Sequence, residues 1–108
     1  MLDRTMENVM AKFFLALADE TRLRVITVLK EEGVLNVGEL SRVLEKEQSH
    51  VSHHLACLRN CGIVKAEKTG KYVYYSINGS NRILTILEQA QDHVREAFEE
   101  IAACEVVK

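Results

Sequence analysis

The stretch V-S-H-H-L-A-C-L-R-N-C-G-I-V, residues 51–64, runs directly into I-V-K-A-E-K-T-G-K-Y-V-Y-Y-S-I, residues 63–77, and the change of period between the two decides the fold. At about 100° per residue on an α-helix, Val51, Leu55 and Leu58 share one sector. Ser49, Ser52, His53, Ala56, Arg59 and Asn60 fall on the opposite, largely polar side. The first face belongs to a core, and the second is free to meet a groove. Cys57 and Cys61 lie on the strip between these faces, stacked on consecutive turns, with His50 and His54 on the same strip. After Gly62 the helical period gives way to two β-prone runs around Thr69-Gly70, which predicts a hairpin.

Upstream, Val9, Phe13 and Leu17 recur at helical spacing in a first helix. Asp19 is placed to cap a second helix, with Leu23, Ile26 and Leu29 inward and Gly33 at its end. Asn36 followed by Glu39 reads as a capping box that opens a short third helix with Leu40, Val43 and Leu44 inward. Downstream, Ile83, Leu87, Ala90, Val94, Ala97 and Ile101 repeat at spacings of four and three, the seam of a helix that packs along a partner helix. The chain has no proline, internal repeat or low-complexity linker, so we expect one domain over residues 1–108. The pattern predicts a mainly α fold with a β-hairpin (α+β), a winged helix-turn-helix. The N-terminal helix, through Val9 and Phe13, and a C-terminal helix at about 80–103, through Leu87, Val94 and Ile101, are expected to form a homodimer interface.

Composition narrows the function. A chain of 108 residues with 47% hydrophobic content supports a real core. No apolar run would span a bilayer and no leader is visible, which predicts a cytoplasmic protein without a membrane partner. Three cysteines do not suggest a disulfide framework. The formal charge of -2 hides an asymmetry. Residues 48–78 carry four basic side chains against Glu67 alone, whereas residues 79–108 carry three basic against six acidic groups. A modest basic surface followed by an acidic helix suits a sequence-specific DNA binder that uses few phosphate contacts. No phosphate-cradling glycine loop, H-E-x-x-H or C-x-x-C motif is present, so no enzyme and no organic cofactor are expected.

A thiolate is a soft ligand that favours thiophilic ions over hard ones, and two thiolates at i and i+4 make half a clamp. Free cysteine is also among the most buried residue types, so from spacing alone Cys57 and Cys61 read first as small core residues and second as ligands.

The segments L-A-D-E-T-R-L-R-V-I (17–26), V-G-E-L (37–40), S-H-V-S-H-H-L (49–55) and K-T-G-K-Y-V-Y-Y-S-I (68–77) resemble the ArsR/SmtB family of metal-responsive transcriptional repressors over most of the chain. H-L-A-C-L-R-N-C-G-I-V (54–64), together with Cys104, resembles the CmtR-like branch that senses cadmium and lead. The resemblance implies that Cys57 and Cys61 ligate metal and that Cys104 of the other subunit adds a third thiolate. It implies Cd(II) or Pb(II) as the regulatory ligand, with As(III) or Zn(II) as alternatives; His54 is placed to complete a fourth position, although a histidine there more often packs or hydrogen-bonds. It further implies that Ser49, Ser52 and His53 meet operator DNA, with Lys68, Lys71 and Tyr72 on the wing; Arg59, outward by the helical period, joins them as a DNA-binding candidate or is an ordinary solvated charge.

Other sites of that family are poorly matched. Leu35-Asn36-Val37-Gly38 stands where arsenic and cadmium sensors carry C-V-C, and Asp92 and His93 are adjacent with no histidine following, which assigns them to a solvated helix face. The expected function is a repressor that binds an inverted-repeat operator as a metal-free homodimer and leaves it when metal binds. Three alternatives stand beside it: an arsenite sensor on the same thiolates, a thiol redox or reactive-sulfur sensor on the same fold, and a dimeric protein-interaction module that never touches DNA.

Overall fold

The computed structural model describes residues 2–79 and 81–105. Contacts divide them into two compact units that meet at Asn78 and Gly79 in the sequence, and each is described by itself.

In the first unit, helix α1 (Arg4–Leu17) is capped by the Asp3 side chain, and α2 (Glu20–Glu32) by that of Asp19, which accepts from the Arg22 N–H. Gly33, at φ 92°, ends α2. A two-residue strand β1 (Leu35–Asn36) leads into α3 (Val37–Leu44). There the capping box is complete: Glu39 N–H donates to Asn36 Oδ1 at 2.9 Å, and Asn36 N–H donates to Glu39 Oε1 at 3.0 Å. Helix α4 (Gln48–Asn60) follows, then β2 (Val64–Thr69) and β3 (Tyr72–Ile77). The hairpin turns at Gly70, whose φ of 63° at the first of two turn positions is the conformation that a type II′ turn asks of glycine.

Three features differ from the sequence reading of this unit. The sheet has three antiparallel strands in the order β1-β3-β2, because Leu35 and Asn36 pair with Tyr75 and Tyr74. A strand of two residues leaves no period to read. In α2 the buried stripe is Val25, Ile26, Val28 and Leu29; Leu23 is exposed, since six residues separate it from Leu29 and turn it about 120° round the helix. In α3, Leu40 and Leu44 are buried but Val43 is half exposed.

The core gathers Val25, Ile26 and Leu29 from α2, Leu40 from α3, Val51, Leu55 and Leu58 from α4, and Ile63 and Val64 at the start of β2. Helices α2, α3 and α4 and the start of β2 thus bury one face each, joined by Ala16 and Leu17 at the end of α1, and α4 presents its opposite face outward.

The second unit contains α5 (Arg82–Glu96) and α6 (Phe98–Ala102). The continuous helix expected over about 80–103 is therefore interrupted at Ala97, which leaves the helical region at φ -109°, ψ 26°. Residue 80 lies outside the described residues. Glu96, Glu99 and Glu100 place like charges three and four residues apart across the break, a repulsion that weakens the helix there. Backbone bonds still bridge it, Ala97 N–H to His93 O and Ile101 N–H to Ala97 O, both at 3.0 Å.

Candidate functional site

Helix α4 ends in a Schellman motif. Gly62 N–H donates to Arg59 O at 3.0 Å and Ile63 N–H to Leu58 O at 2.9 Å, and Gly62 takes φ 72°. Leu58 and Ile63 supply the apolar contact that accompanies such an ending, both fully buried. Asn78 locks the corner from the far end of β3: its side-chain amide donates to Gly62 O at 2.8 Å and its backbone N–H to Ile63 O at 3.0 Å.

This ending fixes the two thiols. Cys57 lies in the last turn and Cys61 is the C-cap, with its N–H bonded to Cys57 O at 3.2 Å. Cys61 is thus one residue past the helix that the sequence reading gave it, yet still one turn beyond Cys57. Both thiols are half-buried, between the core residues Val51, Leu55 and Leu58 and the exposed face. They are neither sealed in the core nor fully solvated.

His54, one turn before Cys57, is held by the α1–α2 corner. Arg22 Nη1 lies 3.1 Å from His54 Nδ1. A guanidinium only donates, so Nδ1 is the acceptor and the ring is the neutral Nε2–H tautomer. The same guanidinium donates through Nε to Ala16 O at 2.7 Å and through Nη2 to Leu15 O at 3.2 Å, carbonyls of the last turn of α1. An Asp19 carboxylate oxygen sits 3.8 Å from His54 Nδ1. Burial pushes the His54 pKa below the ordinary histidine value; Asp19 opposes that shift, and Arg22, His53 and His50 add to it. The Arg22 N–H holds the Asp19 carboxyl below its ordinary value, partly countered by burial and reinforced by Arg22 and His54. Sequence reasoning missed Arg22, although T-R following the Asp19 cap was legible.

Ser49, Ser52, His53 and Arg59 are all exposed on α4, as the helical period placed them. Lys68, Lys71 and Tyr72 are exposed at the hairpin tip, where the Lys71 ammonium sits 5.5 Å from the centre of the Tyr72 ring. An open cavity of about 320 Å³ lies between the start of α4 and the hairpin, lined by Gln48 of α4, Val37 and Gly38 of α3, and Lys71, Tyr72 and Tyr75 of the hairpin. The sequence reading had no signal for Gln48.

Cys104 is exposed in the second unit. No group of three His, Cys, Asp or Glu side chains that would hold a metal ion is gathered among the described residues. Cys57 and Cys61 stand one turn apart at the end of α4, and Cys104 belongs to the second unit. Asp92 is exposed and accepts from Arg95 at 3.2 Å, and His93 is exposed beside it.

The arrangement of α3, α4 and the hairpin is a winged helix-turn-helix, and residues 19–66, from the Asp19 cap through the first residues of the wing, match the model of the bacterial regulatory protein arsR family. The chain is 42% identical over 86 residues to the cadmium resistance transcriptional regulatory protein CadC homolog of Staphylococcus aureus, covering 80% of this chain and 70% of that protein. The chain belongs to the ArsR family of transcriptional regulators. It is also 39% identical to the transcriptional regulator CmtR of Mycobacterium bovis over 85 residues, 79% of this chain and 71% of that one. Among solved structures, the homodimeric winged helix-turn-helix domain Mb0332 of M. bovis superposes with a TM-score of 0.74 at 25% identity, covering 85% of this chain and 88% of that domain. These relatives are transcriptional regulators, not enzymes. No helix among the described residues is long and apolar enough to cross a membrane.

Proposed function

We propose that this ArsR-family repressor binds an inverted-repeat operator as a metal-free homodimer and releases it when a thiophilic ion, Cd(II) or Pb(II), is held by Cys57 and Cys61 with Cys104 of the other subunit. The observation that carries the reading is the pair of half-buried thiols one turn apart at the end of the helix whose outer face carries Ser49, Ser52 and His53. The donor set fits a soft ion: two cysteine sulfurs and no carboxylate or histidine cluster among the described residues. The third donor in this reading, Cys104 of the other subunit, is the one that the resemblance to the CmtR-like branch implies. Once bound, the ion would supply a bridge between thiolates.

The residues themselves account for the coupling. Cys57 and Cys61 belong to the segment that sets the pitch of α4 against β2, so holding them together with a donor of the second subunit restrains both the helix end and its spacing from the partner. Release requires the ion to bind the DNA-incompetent arrangement more tightly, because equal affinity shifts nothing. Homodimer formation is supported by apolar side chains left half exposed in the single chain, Met6, Val9 and Phe14 on α1 and Val94, Phe98 and Ile101 in the second unit. The relative from S. aureus, named for cadmium resistance, favours Cd(II) as the first ion to test.

The test is a titration of reduced protein on a labelled operator fragment with Cd(II), following DNA anisotropy and sulfur-to-metal charge-transfer absorption together. Loss of anisotropy in step with the absorption is the expected result. Absorption without release, or release by peroxide but not by Cd(II), would contradict the reading, and the latter would place the thiols in a redox sensor.

A further inference from the structure

The Arg22 guanidinium joins three helices at the α1–α2 corner. It donates to Ala16 O and Leu15 O at the end of α1, its own backbone is capped by Asp19 at the start of α2, and its remaining nitrogen reaches His54 on α4. The corner is built, not incidental: the guanidinium is part-buried, Asp19 stands within 3.8 Å of the same imidazole nitrogen, and the His54 side chain is only 19% exposed. Leu15 and Ala16 belong to the last turn of α1; Leu15 O already accepts from the Ala18 N–H at 3.2 Å, and the guanidinium is a second donor to it as well as a donor to Ala16 O. The end of α1 is therefore tied to a group whose third bond depends on where His54 stands.

His54 in turn stands one turn before Cys57 and two before Cys61. Within a hydrogen-bonded helix, a rotation of the last turn is passed to the turn before it, since neighbouring turns share backbone bonds. We propose that His54 is a positioning residue for metal-dependent release: through its Nδ1 bond to Arg22 it transmits restraint of the Cys57–Cys61 turn to the end of α1, without touching metal or DNA itself. This rests on the proposed function above and extends it to residues outside the thiol pair. The bistable element is the Arg22–His54 bond. A shift of α4 that lengthens it leaves a part-buried guanidinium nitrogen short of an acceptor, a cost that biases α1 along with α4. Because α1 carries the half-exposed Met6 and Val9, the corner connects the thiol end of α4 to a face suited to a second copy of the chain.

The experiment compares wild type, His54→Leu and His54→Asn in three readouts: operator affinity without metal, operator affinity with saturating Cd(II), and sulfur-to-metal absorption. Leucine removes the acceptor, whereas asparagine places an amide oxygen close to the position of Nδ1. In His54→Leu, absorption and metal-free operator affinity stay near wild type while the affinity lost on adding Cd(II) shrinks by about 2- to 30-fold. His54→Asn retains the wild-type response. Imidazole ¹⁵N shifts of wild type give a readout separate from DNA: metal-free protein shows His54 as the Nε2–H tautomer with Nδ1 hydrogen-bonded, and Cd(II) perturbs that nitrogen. If His54→Leu does not fold, Arg22→Lys replaces it, since one ammonium cannot serve two α1 carbonyls and the imidazole in the fork geometry of arginine.

Normal Cd(II) release by whichever of these variants folds would overturn the positioning role while leaving the proposed function intact. Loss of the charge-transfer band in His54→Leu would overturn it differently, by making His54 a ligand. Wild type that neither absorbs nor releases with Cd(II) would overturn both readings together.

Discussion

The backbone N–H of Ile63 donates to Leu58 O at 2.9 Å, and both side chains are completely buried. That bond closes α4 and holds Cys61 at its C-cap, which is how the core sets the place of the second thiol. The left-handed Gly62 makes the closure possible.

Gly62→Ala tests this closure. An alanine Cβ would meet nothing nearer than Asn78 Nδ2 at 4.0 Å, so the cost is conformational and not a clash. It should lower stability by about 1–2 kcal/mol. A urea midpoint equal to that of wild type would show that the positive φ is not required.

The outer face of α4 and the wing should divide the work of DNA recognition. Ser52→Ala with His53→Ala should weaken binding to the specific operator and leave the dimer intact, because both side chains are exposed and neither supports the core. Lys68→Ala or Lys71→Ala should weaken all sequences alike and reduce the slope of log affinity against log salt by about 1 each. Unchanged specific affinity in the double variant would place the recognition face elsewhere.

Acid should loosen the α1–α2–α4 corner. The folded-state pKa of His54 lies below the ordinary 6.5, so the unfolded chain takes up this proton first as pH falls. Its contribution is complete above 6.5 and is lost as pH drops through the lower folded value. Asp19, held below 3.8, adds a second contribution that is present above 3.8 and lost at lower pH. Urea midpoints at about pH 7.5 and 5 should therefore fall more steeply for wild type than for His54→Asn, which cannot protonate in this range. Parallel pH dependences would show that His54 is not held neutral by the fold.

Dimerisation should depend on the second unit. Leu87 is half-buried and Val94 and Ile101 are exposed in the single chain. Leu87→Glu with Val94→Glu should sediment as a monomer, since a charge on each turn of a seam opposes its burial. Sedimentation at the dimer mass would assign the seam to another purpose.

What the sequence disclosed follows from how locally each feature is encoded. The Asp19 cap, the Asn36–Glu39 capping box and the Gly70 turn each depend on residues within three or four positions, and each was legible. The buried face of α4 followed from one period. Strand β1 was not legible, because its pairing is with Tyr74 and Tyr75 far along the chain. The break at Ala97 has neither glycine nor proline to announce it. The Arg22–His54 bond spans 32 positions, and nothing in either neighbourhood names the other. At the site, the spacing of Cys57 and Cys61 was visible, whereas their half-burial depended on tertiary packing.

Operator affinity of Cys57→Ser with and without Cd(II), measured beside Cys61→Ser, is the most direct test of the thiol assignment. Serine preserves the size of the side chain but is a poor ligand for a soft ion. Each variant should bind operator as wild type does in the absence of metal and fail to leave it when Cd(II) is added, with Asp92→Ala, His93→Ala releasing normally as the control. Normal release by both cysteine variants together with failure of the Asp92, His93 control would move the sensor to the last helix and contradict the central claim.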